Sequence, residues 1–183
     1  MKYFFSLVLI GCFMLTGGCA APAQFENMTY TQPLGSSFDS ELREQVEITA
    51  VQGGSKTNPL WVSQISNEDF QKALEISLSS QGLLANDGRF KLKVTLLEVE
   101  QPLFGLDLKV ISKVNYIIVD TDKNEILFDE IVEASHIATF SDAFAAVTRL
   151  RMANEGSGKN NIKRFLERLS NLSIEPSQLS LAR

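Results

Sequence analysis

Histidine, cysteine, paired carboxylates and glycine-framed serine are the usual raw material of a catalytic or metal site, and this chain uses them sparingly. His136 is the single histidine, with no Cys, Asp or Glu beside it at metal-ligand spacing, so it reads as a strand-end or loop residue. Asp120-Thr121-Asp122-Lys123-Asn124-Glu125 opens like a calcium loop. It has Glu125 where the sixth position needs glycine and Ile131 where the twelfth needs glutamate, and is read as a hairpin turn. Gly156-Ser157-Gly158 lacks the G-x-S-x-G frame of a serine nucleophile and follows a helical rather than a strand pattern. Asp129 and Glu130 are adjacent on a strand, point to opposite faces and cannot act as a pair. With no phosphate-cradling glycine loop, no H-E-x-x-H and no paired cysteines, the expectation is a protein without catalytic residues, metal or cofactor.

The two cysteines, Cys12 and Cys19, lie close to the N-terminus. Lys2 is the only charged residue before Glu26, and Tyr3 to Leu15 (YFFSLVLIGCFML) is almost wholly apolar. A basic start, an apolar stretch too short to span a bilayer and small residues after it make a secretory signal peptide over 1–18. Leu15-Thr16-Gly17-Gly18-Cys19 resembles the lipobox of bacterial lipoproteins. In that family a small residue before the cysteine admits the peptidase, and the thiol receives diacylglycerol. Thr16 stands where the family has an aliphatic residue. Leu9-Ile10-Gly11-Cys12 fits the box letter for letter but leaves only a stub of apolar residues ahead of it; ordinary cleavage is the third possibility. The resemblance implies lipidation at Cys19, anchoring through more than one acyl chain and, because Ala20 rather than Asp follows, the periplasmic face of an outer membrane.

Cleavage before Cys19 would leave 165 of the 183 residues, one domain by size. It would also leave no second thiol, so a secreted domain of this kind must stand on its core or its partners. Without Lys2, 16 basic residues face 22 acidic ones, a formal charge of −6. Such a surface argues against nucleic acid or anionic headgroups as partners.

Residues 19–43 are rich in Pro, Gln, Asn, Thr, Ser and Gly and read as a flexible tether, with an α+β domain over 44–175 and a fraying tail over 176–183 beyond Glu175-Pro176. Gln45 to Val51 alternates as a first strand. Ser66, with Glu68 and Asp69 behind it, begins a helix carrying Phe70, Ala73, Leu74, Ser77 and Leu78 on one stripe, and Gly82 ends it. Phe90–Val99, Leu106–Val119 and Ile126–Ser135 alternate as three further strands. A last helix is expected from near Ser141, kinked but continuous through Gly156 and Gly158. The order β-α-β-β-β-α predicts a four-stranded, mainly antiparallel sheet with two helices on one face.

Arg149, Arg151, Asn154, Glu155, Asn160, Asn161 and Arg164 surround those two glycines. They form a partner-docking patch, a close helix-to-sheet joint with Arg–Glu pairing, or a solvated helix face. The stretch Leu150 to Gly156, continuing through Asn161-Ile162 to Phe165-Leu166-Glu167-Arg168-Leu169, resembles the C-terminal helix of uncharacterised proteobacterial lipoproteins. More distantly, anchor and element order together resemble accessory lipoproteins of envelope transport machines. The expected function is therefore a lipid-anchored periplasmic module that binds an envelope protein through its sheet edge or its last helix, with Phe104 in the Pro102–Gly105 loop as an aromatic anchor and Trp61 as either a second anchor or a core residue. The alternative is a small-molecule or lipid carrier with a cavity between sheet and helices.

Overall fold

The computed structural model describes residues 20–58 and 62–174. The expected signal peptide, Cys19, Pro59, Trp61, Pro176 and the C-terminal tail lie outside the described residues. Four strands form one sheet in chain order: β1 (Val46–Gln52), β2 (Phe90–Glu100), β3 (Leu108–Asp120) and β4 (Glu125–Ala138). β1 and β2 run parallel, Val46 opposite Phe90, whereas β2–β3–β4 is an antiparallel meander with Phe90 opposite Asp120 and Leu108 opposite Ala138. The parallel pair follows from the long helical connection between β1 and β2; the short turns after β2 and β3 permit only antiparallel return.

One face of the sheet is covered. Phe90, Leu92 and Val94 of β2, Val114, Tyr116 and Ile118 of β3, and Phe128 and Val132 of β4 are buried on it. Against them lie a one-turn helix α1 (Phe25–Met28), α2 (Asn67–Ser80) and α3 (Ala146–Leu169). α2 behaves as its sequence predicts. Ser66 Oγ accepts the Asp69 N–H, Phe70, Ala73, Leu74 and Leu78 are buried, and Gly82 takes φ +69° beyond the helix end. Among the described residues no helix is long and apolar enough to cross a membrane.

Two expectations are corrected. Residues 20–43 are not a loose tether: Ala23, Met28 and Leu42 are fully buried, Tyr30 is nearly so, and the Tyr30 N–H donates to Ser77 Oγ of α2. The few apolar residues in this polar stretch each enter a slot that other elements have built. The last helix begins at Ala146, not near Ser141. Asp142 instead accepts the Thr139 N–H and hydroxyl, closing a turn that uses up the cap. From Ala146 the helix runs unbroken through Gly156 and Gly158.

Candidate functional site

α3 carries the residues that the sequence singles out, and the fold turns most of them inward. Two glycines and several small side chains let it approach the sheet and α1 closely. A Cβ on Gly156 would overlap the His136 ring of β4, and one on Gly158 would meet Met28 Sδ of α1 at 2.8 Å. With the helix backbone packed this near the side chains of β4 and α1, polar groups on the helix reach carbonyls that larger residues would cover.

Asn161, fully buried, is the centre of this joint. Its Oδ1 accepts the Tyr116 hydroxyl at 2.8 Å, and its Nδ2 donates to Ser112 O at 3.0 Å and Val132 O at 2.8 Å. Tyr116 stacks on Phe165 with centroids 4.1 Å apart, and burial pushes its hydroxyl pKa up. One turn of helix earlier, Ser112 Oγ donates to Ser157 O. Asn154, also fully buried, donates to Ser63 O at 2.8 Å and accepts from Gln101 Nε2 at 2.8 Å, tying α3 to the loop before α2 and to the end of β2.

Glu155 fastens the chain's N-terminal segment. Its carboxylate accepts the Gln24 N–H at 3.0 Å and the Asn27 amide at 2.9 Å, and Arg151 Nε stands 3.6 Å away. Burial pushes its carboxyl above the ordinary range, while the Gln24 N–H, Arg151 and Asn27 pull it down. Arg149 is buried too: Nη1 donates to Ala143 O and Phe144 O at 2.7 Å each, and the guanidinium lies over the Phe140 ring. The proposed docking set is thus divided. Arg149, Asn154 and Glu155 are internal braces and cannot face a partner. Arg151 is partly exposed, and Phe104 stands open in its loop.

Sequence reasoning missed His136, Ser112, Tyr116 and Gln101 as members of this joint. The available signal was a helical stripe, Asn154, Ser157, Gly158 and Asn161, in register with the buried Ile162 and Phe165. Small and polar residues on a core-facing stripe mean close approach, whereas by composition alone they resemble a surface.

Asn154, Glu155 and Asn161 spend their polar groups on hydrogen bonds within the fold. An open hollow of about 350 Å³ is bordered by Asn27, His136, Arg151, Glu155 and Gly156, but both oxygens of its one carboxylate are engaged by α1 and the residue before it. Among the described residues no group of three His, Cys, Asp or Glu is placed to hold a metal. A second, smaller hollow of about 120 Å³ lies between the β2–β3 loop and the start of α3, lined by Leu103, Phe104, Leu108, Val147 and Leu150.

No protein-family model matches the chain, and no curated protein matches it. Solved structures do. A Xanthomonas campestris protein of the DUF330 family is similar over 75% of this chain and 92% of its own, at 7% identity and a TM-score of 0.53. A hypothetical protein from Chlamydia trachomatis is similar over 71% and 97%, at 12% identity and 0.55. A minor lipoprotein from Acinetobacter baumannii, at 11% identity over 70% and 93%, reaches 0.47, too loose a likeness to bear on this chain. At such identities the first two matches establish that this chain shares their fold.

Proposed function

We propose that this is a lipid-anchored envelope protein that works without catalysis, docking onto a protein partner through the sheet face opposite its helices. The observation that carries the reading is that open face. β3 presents Ile111, Lys113, Asn115, Ile117 and Val119 on it, beside Ile126, Ile131 and Ile137 of β4. The three β4 isoleucines are exposed. Lys113 pairs with Glu98 at 3.0 Å and Glu100 at 2.7 Å across the same face. A solvated antiparallel face is ordinarily polar; aliphatic residues set among fixed ion pairs suit a protein surface. The lipobox-like Leu15–Cys19 supports the anchor, and Ala20 after the cysteine supports the periplasmic face of an outer membrane. Nucleic acid fits poorly with the net negative charge. The carrier reading loses ground because α3 closes onto the sheet at Gly156 and onto α1 at Gly158, filling the space that a ligand cavity would need.

The test is site-specific photocrosslinking in the cells that make the protein. A photoreactive residue at Ile117 or Ile137 should give an adduct of one defined mass, and one at Gln71 on the outer side of α2 should give none. Recovery of the uncrosslinked protein with co-eluting lipid, and no adduct from the sheet face, would move the reading to a carrier.

A further inference from the structure

The end of the domain where β2 passes into β3 and β4 into α3 is apolar without being covered. Leu103 is 96% exposed, Phe104 88%, Leu106 70% and Phe144 87%. Four large apolar residues this open at one tip are uncommon on a protein surface with no partner. The tip is also built to hold its shape. Phe140 and Phe144 meet edge to face at 5.7 Å, Arg149 holds the Ala143 and Phe144 carbonyls, and Asp107 of the neighbouring loop accepts the Phe140 N–H at 3.0 Å. The two carboxylates at the tip, Asp107 and Asp142, are both turned to loop backbone, on Phe140 and Thr139.

A second, independent observation is where the chain comes in. Ala20 is packed, at 5% exposure, and Ala21 lies in a hollow with Val147, Thr148 and Arg151 on the first turns of α3. Val147 also lines the hollow beneath Leu103 and Phe104. Position 19 is one Cα step of about 3.8 Å from Ala20. A lipid on Cys19 would therefore enter the bilayer beside this tip, with no length of chain to let the domain stand away.

We infer that the tip bearing Leu103, Phe104, Leu106 and Phe144 rests in the surface of the bilayer that holds the Cys19 lipid. This rests on the lipid-anchor reading above. The apolar side chains reach past the headgroups, as aromatic and aliphatic residues of interfacial segments do. The sheet then stands away from the membrane, with its open face turned sideways and clear for a protein.

The experiment uses the full chain, processed and acylated in cells and reconstituted in 3:1 phosphatidylethanolamine:phosphatidylglycerol vesicles. Phe104→Cys, Phe144→Cys and, at the opposite end, Asp122→Cys each carry a polarity-sensitive dye, and the vesicles carry a nitroxide lipid. The expected result is blue-shifted emission and at least two-fold stronger quenching at 104 and 144 than at 122. Equal, weak quenching at all three in protein whose N-terminal peptide bears the acyl mass would overturn the inference and leave the anchor reading standing. An N-terminal peptide without acyl mass, in protein that does not bind the vesicles, would end both.

Discussion

Asp120 has no exposed surface yet carries a charge, because Arg89 grips it with two hydrogen bonds, Nε to Oδ1 at 2.8 Å and Nη2 to Oδ2 at 2.6 Å. Those bonds, with the Asp122 and Lys123 N–H groups, hold its carboxyl below the ordinary 3.8. A carboxylate whose pKa falls on folding contributes stability that is full above its unfolded pKa and lost as pH drops through the folded one. Asp120→Asn should therefore destabilise by about 3 kcal/mol at pH 7, the low end for breaking a buried pair, since Glu41 and Asp122 still partner Arg89. Urea unfolding at neutral pH and at successively lower pH checks this: the gap to wild type should close below about pH 4. Glu155 acts in the opposite direction. Its carboxyl is raised by burial, so it weighs most against the fold at neutral pH, and that penalty fades as pH falls toward 4.5, the ordinary value at which the unfolded chain also takes up the proton.

At the scale of elements, α3 is the piece whose fit is most demanding. Gly156→Ala should raise helix propensity by about 1 kcal/mol, but the new methyl overlaps His136, so the net effect should be destabilising. In a His136→Ala background the same substitution should turn stabilising, and a double-mutant cycle read by thermal unfolding measures that reversal. This joint was only partly legible in the sequence. β2, β3 and β4 show themselves by alternation, and α2 by Ser66 and Gly82, because one face of each is apolar and local signals suffice. The partners of Asn154 and Asn161 come from 29 to 91 residues away, and no local pattern records them. Met28, Tyr30 and Leu42 escaped notice for a related reason: they are isolated apolar residues with no period, meaningful only once the slots that receive them exist. The proposed lipid anchor, in contrast, rests wholly on the sequence.

Taken whole, the molecule ends its sheet deliberately at both sides. Residues 83–85 lie along the start of β1, with Val46 N–H donating to Leu83 O and Ala85 N–H to Val46 O. On β4 the outward carbonyls of Ser135, Glu133 and Ile131 accept from Asn160, Arg164 and Arg168 of α3. Four residues of helix rise about 6 Å and two of strand about 6.6 Å, so the two series keep step. Exposed strand edges invite pairing with other chains. Asn160→Ala/Arg164→Ala/Arg168→Ala should therefore leave the fold intact but promote concentration-dependent association, visible by light scattering, that wild type does not show.

The same helix that guards the edge also covers the core, and it is the last element among the described residues. Synthesis proceeds from the N-terminus, so the meander can pair its strands while Tyr116, Ile118 and Phe128 still have no roof. Until Leu169 has emerged, the nascent chain presents a greasy sheet with an unguarded border, and anything that keeps it from aggregating must shield both.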